Sequence, residues 1–399
     1  MSTMTKTSVR LGLTAVLLGA TVPRLALAQT IDPIERDTAQ VDSIRVDAVP
    51  KPRGQRVPTS FRLQPYGSNA NFNPVSMLVN RGLDIWQLDQ YSPSLTRFPY
   101  RRSAASVWHA VTHPGEVIDQ MGTWQFVSNE ILPIRWGAWD AGDAAWAPNY
   151  MLHFFMGGVT YVRTEGWFAD RGWPAPKLWS GVTVMAAAYP NEMAEVGDTP
   201  AGASTFADLV VFDLGGVLAF NVPWVRNLFG EKLRVMGWSL QPVFTPHAEV
   251  YNQGDYLAIK FGLPFGDDVD LLWRLGLGSW WGLSFPRGEE DAISFALGAE
   301  TTSHSVDPDT RVESITAGFA GGLFYDRNGS LLASLEWGFR ERLASINVYP
   351  GVFPRPLKDM GLWLSLDRDL RPRLGLIARA LGFGLGLSPR GPDRYDALQ

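Results

Sequence analysis

The sequence predicts an α+β protein, with a helical core of about three to four buried helices followed by an antiparallel, closed β-barrel of about 10–12 strands. Two patterns carry this prediction. Between about residues 103 and 229 apolar residues recur at helical spacing, and after Gly230 they alternate with period two. Composition agrees, because 46% apolar residues argue against general disorder and 40 glycines argue against a coiled coil.

The first residues have the features of a secretory signal peptide over 1–28. Lys6 and Arg10 precede a short apolar run, and Ala26-Leu27-Ala28 forms a small-residue cleavage site. An N-terminal membrane anchor is the alternative, although the run is shorter than the ~20 residues that a spanning helix needs. Cleavage leaves 32 basic and 40 acidic residues, which gives a net charge of −8. This negative charge does not suggest a protein that binds nucleic acid. The chain has no cysteine for lipidation or disulfides.

Residues 29–63 are polar and lack apolar periodicity, which predicts a disordered periplasmic extension. A helical domain is predicted over 64–230, with turns rich in Gly, Asn and Pro at 64–76. Its main helices are expected over Trp146–Trp167, Pro174–Val196 and Thr205–Val225. Their uncharged stretches are only 12–14 residues long, so we expect helices buried in protein rather than membrane spans.

The predicted barrel occupies 231–388 and is followed by a tail over 389–399. Its strands alternate apolar with small or polar residues, as in Ile293, Phe295 and Leu297, and turn signals such as Asn328-Gly329 separate them. A meander of this size is expected to close, because closure removes exposed edges. In an outer-membrane barrel the apolar face meets lipid, and a periplasmic β-sandwich packed on the helices is the alternative. Aromatic residues are expected in girdles at the membrane interfaces: Trp273, Trp280, Trp281, Phe285, Tyr325, Trp337, Tyr349 and Trp363.

The candidate catalytic residues are His153, Glu192, Asp208 and Asp213, which lie within three successive apolar helices. Burying such groups separately is costly, so we expect His153, Glu192 and Asp208 to form one cluster. Asp208 and Asp213 lie about 140° apart around the axis of an ideal α-helix. They can therefore reach one site only from its two opposite sides, or if the helix is distorted. One His with three carboxylates suits a divalent metal or general acid–base chemistry. The alternative is a buried hydrogen-bond network that fixes helix registry.

Two other patterns are interpreted as structural. His109 and His113 are four residues apart, but Pro114 moves His113 away from helical geometry, so a metal pair is not expected. The alternating glycines of Gly382-Phe383-Gly384-Leu385-Gly386 lack a following helix, so we expect a strand rather than a phosphate loop.

The helical segment also resembles uncharacterised bacterial envelope proteins. The motifs are Asn149-Tyr150-x-x-His153-Phe154-x-x-Gly157-Gly158, Asn191-Glu192, Ala207-Asp208-Leu209 and Asp213-Leu214-Gly215-Gly216. They are similar to a predicted periplasmic lipoprotein family of unknown function and to VanZ-like helical proteins, which read Asp-Lys-x-x-His, Lys-Glu, Ser-x-x-Asp and Asp-x-x-Gly. This chain has Asn149-Tyr150 and Asn191 where that group has charged residues. The resemblance implies an envelope location and a shared helical core, and it supplies no reaction.

Three functions follow as hypotheses. The first is an outer-membrane β-barrel-type envelope protein with a structural or interaction role and a helical plug or cap. Its partners would be membrane lipid and envelope proteins, with no nucleic acid, and the periplasm is the alternative location. The second is an envelope lipid-modifying or hydrolytic enzyme that uses the His/carboxylate site. The third is a channel or transporter. No motif names a cofactor.

Overall fold

The computed structural model describes residues 61–88, 94–132, 148–197, 199–263, 268–306, 313–338 and 342–389. All of them belong to one compact unit, Gln55–Gln399. The predicted signal peptide over 1–28, most of the predicted extension over 29–63, and the tail beyond residue 389 lie outside the described residues.

Helices occupy the first half of the described chain. The α-helices are α1 (Gly67–Asn71), α2 (Pro74–Gly82), α3 (Tyr100–Thr112), α4 (Pro114–Met121), α5 (Thr123–Phe126), α6 (Gly157–Asp170), α7 (Pro176–Val196), α8 (Ala203–Phe206), α9 (Leu214–Ala219) and α10 (Pro223–Asn227). Short 3₁₀ turns occur at Asp84–Gln87 and Leu357–Asp359. Four further stretches are π-helical: Val127–Ile131, Asn149–Met156, Ala207–Asp213 and Leu228–Lys232.

The prediction of turns over 64–76 is wrong, because α1 and the start of α2 lie there. The side chain of Asn73 accepts hydrogen bonds from the backbone N–H groups of Val75 and Ser76, and the Ser76 hydroxyl accepts from that of Asn73. Pro74 occupies the first helical position, where its missing N–H costs nothing. The same Asn and Pro that suggested a turn therefore form a helix start with a capping box.

Thirteen strands form one sheet in the second half, against the 10–12 predicted. They are β1 (Met236–Gly237), β2 (Val243–Phe244), β3 (Val250–Tyr251), β4 (Leu257–Gly262), β5 (Asp270–Leu275), β6 (Gly278–Arg287), β7 (Asp291–Val306), β8 (Glu313–Arg327), β9 (Ser330–Trp337), β10 (Arg342–Val348), β11 (Met360–Asp367), β12 (Pro372–Ala378) and β13 (Phe383–Leu387). From β4 to β13 each strand pairs antiparallel with the next. Asn328 and Gly329 both have positive φ and form the predicted hairpin turn between β8 and β9.

The sheet order is β1-β4-β5-β6-β7-β8-β9-β10-β11-β12-β13-β2-β3, which is open in the pairing of the described residues. The α+β class is confirmed, whereas the predicted closed barrel is not supported. β1 and β2 nevertheless lie on one short segment, 236–244, which pairs antiparallel with β4 and parallel with β13. The two ends of the ten-strand meander therefore both attach to this segment.

Contacts across the sheet show that it curls strongly. The Arg274 guanidinium on β5 lies 3.0 Å from the Glu336 carboxylate on β9, and the Lys260 ammonium on β4 lies 2.6 Å from the Asp326 carboxylate on β8. Strands four places apart are about 19 Å apart in a flat sheet. Both pairs are buried, so the concave face of the sheet encloses a polar interior.

The convex face carries large apolar side chains, many of them exposed. The aromatic girdle prediction is wrong for Trp280, Tyr349 and Trp363, which are fully buried, whereas Trp281 and Phe285 are exposed on the convex face. Trp280 and Trp281 are neighbours on one strand, so their side chains point to opposite faces.

The helices pack against the convex face of the first meander strands. Val159 and Val162 of α6 share an apolar cluster with Leu257 and Ile259 of β4, and Trp273 of β5 packs against it. Among the described residues, no single helix has the length and hydropathy of a membrane span, and one pair, Ala203–Ala219 with Pro223–Lys232, passes only as a pair bent by 80°.

Candidate functional site

Three of the four predicted site residues converge on one point in the helical domain. The nearest ligand atoms of His153, Glu192 and Asp208 all lie within 4.8 Å of one another. His153 lies on the π-helical segment before α6, Glu192 on α7, and Asp208 on the π-helical segment after α8. Glu192 and Asp208 are buried, and His153 is largely so.

Asp213 adjoins this cluster through the imidazole of His153. The Nδ1 atom of His153 lies 3.1 Å from Oδ2 of Asp213, whose side chain is fully buried. The other carboxylate oxygen of Asp213 accepts a hydrogen bond from the Arg81 guanidinium of α2. The contact with Asp213 orients the imidazole ring and leaves Nε2 as the ring nitrogen that this carboxylate does not engage.

A π-helical segment explains how Asp208 and Asp213 both reach the imidazole. In a π-helix the backbone hydrogen bonds join residues i and i+5, so residues five apart lie one above the other. Asp208 and Asp213 have this spacing and lie within the π-helical segment Ala207–Asp213. The helix distortion that the sequence required is therefore present.

Two glycines allow the segments around the site to approach closely. A Cβ atom on Gly216 would lie 2.4 Å from the backbone oxygen of Phe154, the residue after His153. A Cβ atom on Gly157 would lie 3.0 Å from the Arg81 guanidinium and 3.1 Å from the Asp213 carboxylate. Both positions are tighter than most side chains tolerate, so glycine keeps His153, Asp213 and Arg81 in contact.

A cavity of about 120 Å³ lies beside the cluster. A single water needs only about 10–15 Å³ of such volume, so the cavity holds several waters or a small polar group. Its polar wall includes His153, Asp208 and Asp213, together with Asp84 and Glu195. Its apolar wall comprises Ile85, Leu88, Leu152, Met156 and Leu277. The cavity therefore combines a strongly acidic side with an apolar side.

Asp84 is a cavity carboxyl with a perturbed pKa. Burial raises its pKa well above the usual range, and the nearby negative charge of Asp255 raises it further. A hydrogen bond from the Gln87 amide, 2.7 Å long, acts in the opposite direction but does not outweigh burial. The folded protein therefore favours the neutral form of this carboxyl.

Arg81 and Asp84 are site residues that the sequence analysis missed, because it assigned no helix to their segment. The signal was available: Asn73-Pro74 starts a helix whose apolar face contains Met77, and Arg81 lies four residues further on. The Asn191 amide, next to Glu192, donates a 3.0 Å hydrogen bond to the backbone oxygen of Arg81 and fixes α7 against α2.

Asn149 and the pair of His109 and His113 are not members of this cluster. The Asn149 amide donates to the Glu130 carboxylate at 3.1 Å, although Asn149 also lines the cavity. His109 and His113 stack with ring centroids 4.5 Å apart, and His109 is half exposed beside Glu116. Within the described ranges, the only group whose spacing suits a metal ion is His153, Glu192 and Asp208.

Comparisons of the chain with protein-family models, curated proteins and solved structures gave no match. The resemblance to bacterial envelope proteins, and the catalytic role of the four site residues, stay predictions.

Proposed function

We propose that this chain is an integral β-barrel-type protein of the outer membrane with a structural or interaction role in the cell envelope. One observation carries the proposal: ten consecutive strands each contribute an apolar side chain to a single row on the convex face. In register order the row is Phe261, Leu271, Leu283, Phe295, Leu323, Leu335, Ile346, Leu364, Leu374 and Leu387. From Leu283 to Leu387 these side chains are 37–66% exposed.

The concave face of the same strands supports the proposal, because it buries polar side chains beside an aromatic cluster. Ser284, Ser294, Ser334, Ser345 and Ser365 alternate with members of the apolar row and are at most 5% exposed. A water-soluble sheet places its apolar side chains in the core. Apolar residues outside and polar residues inside are the arrangement of a sheet surrounded by lipid.

For the membrane-inserted form we propose a barrel that closes across segment 236–244. The meander from β4 to β13 contains ten strands, so its first and last strands run antiparallel. A segment that bridges them must then be antiparallel to one and parallel to the other. The observed pairing meets this condition, with β1 antiparallel to β4 and β2 parallel to β13.

Exposed apolar residues on the helices extend the proposed lipid contact. Leu178 and Val182 of α7, and Leu214 and Leu218 of α9, are 39–64% exposed in pairs four residues apart. The helical domain covers Phe261 of the apolar row and lies beside the sheet, so in the proposed membrane form it would be at the level of the bilayer. This position differs from the plug or cap suggested by the sequence. A channel is the least supported function, because Trp238, Tyr256, Trp280 and Tyr349 pack inside the sheet.

Membrane fractionation tests the location. We expect the mature chain to sediment with outer membranes and to stay there after an alkaline carbonate wash, which strips peripheral proteins. A periplasmic protein carrying a signal peptide serves as the released control. Recovery of the chain in the soluble periplasmic fraction without detergent contradicts the proposal.

A second candidate, an enzyme that hydrolyses an ester bond in an envelope lipid, is favoured by the cavity. An acidic wall with an imidazole can activate water, and the apolar wall of Leu152 and Met156 can contact the carbons next to an ester group. In such a reaction the water oxygen bonds to the acyl carbon, the ester bond breaks, and the released alcohol takes a proton. Purified protein is tested on phospholipid vesicles. Release of fatty acid that is lost in His153→Ala and retained in His109→Ala supports the enzyme, and no release contradicts it.

A further inference from the structure

We propose that His153, Glu192 and Asp208 bind one divalent transition-metal ion of the Zn²⁺ or Mn²⁺ type. The ion has one imidazole nitrogen and two carboxylate oxygens as ligands and an open coordination position toward the cavity. Use of this ion in hydrolysis depends on the enzyme candidate above, whereas metal binding itself is measured without substrate and in any location of the protein.

The spacing of the three ligand atoms supports a shared ion. They lie within 4.8 Å of one another, although they come from three separate helical segments. Ligands about 2.1 Å from one tetrahedral ion lie roughly 3.4 Å apart, so each pair needs to approach by at most about 1.4 Å. Side-chain torsions supply a movement of this size without a change in the backbone.

The contacts of His153 prepare its ring for coordination. Asp213 holds Nδ1 at 3.1 Å, which leaves Nε2 as the ring nitrogen for an ion. Arg81 in turn bonds the other oxygen of Asp213 and fixes the position of that carboxylate. A carboxylate that orients a metal-binding imidazole from behind is a recurrent feature of metal sites, and it fixes the ring tautomer. Asp213 and Arg81 are therefore positioning residues.

Burial and charge also favour a cation over an empty cluster. Glu192 is 1% exposed and Asp208 is 4% exposed, and their carboxylates face each other at short range. Repulsion between two such charges is strong where water is excluded, and a divalent cation between them reverses its sign. Glu195 adds a further carboxyl group at the cavity wall. The alternative is a proton shared between the two carboxylates.

The π-helical backbone is an independent indication of function. His153 and Asp208 both lie on π-helical segments, which are rare and occur frequently at functional sites. A single imidazole with two carboxylates selects an ion of intermediate softness. Zn²⁺ and Mn²⁺ accept both donor types, whereas Mg²⁺ and Ca²⁺ prefer oxygen ligands alone.

The experiment uses the full mature chain, purified in detergent and stripped with chelator. Titration calorimetry with Zn²⁺, Mn²⁺, Mg²⁺ and Ca²⁺ measures affinity and stoichiometry, and a melting curve measures Tm with and without each ion. We expect one Zn²⁺ or Mn²⁺ per chain, weaker Mg²⁺ and Ca²⁺ binding, and a higher Tm with the bound ion. No binding, or equal binding of all four ions, overturns the proposal.

Matched variants distinguish direct coordination of the ion from nonspecific attraction by the acidic cavity. Glu192→Gln should weaken binding by more than about 100-fold, beyond the 10–100-fold expected for the positioning variant Asp213→Asn. Glu195→Gln is the control, because it changes the same residue type on the same helix at the same cavity. If direct coordination dominates, this variant should change the metal affinity less than about threefold. Equal losses in Glu192→Gln and Glu195→Gln overturn the metal site. If the ion binds but no lipid is hydrolysed, the result supports the metal site and contradicts the enzyme candidate.

Discussion

Arg81 is the residue on which the buried acidic cluster most depends. It bonds Asp213 and also donates a 3.2 Å hydrogen bond to the backbone oxygen of Leu152, next to His153. Arg81→Ala removes both contacts and leaves the buried Asp213 carboxylate beside His153 without its arginine. We expect the free energy of unfolding in denaturant to fall by about 3–5 kcal/mol.

Two further variants make this prediction specific. Arg379→Ala removes an arginine from an exposed pair with Asp359 and should cost less than about 1 kcal/mol. The double variant Arg81→Ala/Asp213→Asn removes the unpaired charge and should recover part of the lost stability. A double variant less stable than Arg81→Ala alone contradicts a central role for charge pairing.

Asp84 gives the site a predicted pH dependence. Because its pKa is raised in the folded state, the folded protein holds a proton that the unfolded chain releases above about pH 4. Its contribution to stability is complete below that pH and is lost as pH rises through the raised pKa. Asp84→Asn cannot lose a proton and keeps an oxygen for the Gln87 amide.

Metal-free Asp84→Asn should therefore match the wild type near pH 4 and melt at a higher temperature near pH 8. Asp359→Asn, at an exposed carboxyl, is the control and should follow the wild type at both pH values. Parallel melting curves for wild type and Asp84→Asn across this range contradict the predicted neutral carboxyl.

At the scale of elements, the close approach of α9 to the π-helical segment Asn149–Met156 depends on Gly216. Gly216→Ala places a methyl group against the backbone of Phe154, which cannot rotate away. We expect overpacking to lower the free energy of unfolding in denaturant by about 1–3 kcal/mol. We also expect weaker binding of a metal ion at the proposed site with His153. Gly115→Ala in α4 meets no atom within 4 Å and should be neutral or stabilising. Equal stability of the two variants contradicts the close approach.

The strand faces give a second prediction at this scale. Leu335 lies in the middle of the exposed apolar row on β9, and Leu335→Arg should cost about 2–4 kcal/mol if that row meets the bilayer centre. Leu370→Arg makes the same change in an exposed turn and should be within about 0.5 kcal/mol of the wild type. Refolding into lipid vesicles measures both. Phe261 does not test lipid contact, because helices cover it.

Much of the strand pattern could be predicted from the sequence because period-two alternation is a local property of each strand. Ile293, Phe295 and Leu297 do share one face of β7, and Asn328-Gly329 does form a hairpin. The buried position of Trp280 could not be predicted, because both Trp280 and Trp281 suit an aromatic girdle and only the register assigns each to a face. Closure and curling depend on contacts between distant strands, such as Arg274 with Glu336, which no local pattern contains.

The convergence of His153, Glu192 and Asp208 was predictable for a different reason. Isolated ionisable groups in apolar helices are costly, so the sequence alone favoured a common cluster. Asp213 was harder to place, because its position depends on a π-helical segment that α-helical periodicity does not reveal. Arg81 was missed, because the sequence analysis assigned no helix to its segment. Its role depends on a contact 132 residues along the chain.

At the scale of the whole molecule, the sheet combines a buried polar interior with an exposed apolar exterior. Its interior holds ion pairs such as Lys260 with Asp326, and its exterior carries a ten-strand apolar row. Helices cover this exterior at β4 and β5 and add exposed apolar residues on α7 and α9. The site with His153 lies in the helical domain, and Leu277 and Thr301 of the sheet region complete its cavity. A membrane location would therefore place the cavity close to lipid.

The most direct test of the lipid-facing sheet uses the absence of cysteine from the chain. Single cysteines are introduced at Leu335, Ile346 and Leu364 of the apolar row, and at Ser334, Ser345 and Ser365 of the buried polar face. Each is spin-labelled in protein reconstituted in vesicles, and collision rates with oxygen and with a water-soluble nickel complex are measured. We predict high oxygen and low nickel accessibility at the three apolar-row positions, and low accessibility to both at the three serine positions. High nickel accessibility at Leu335, Ile346 and Leu364 would show that water, not lipid, surrounds the sheet, and would contradict the account.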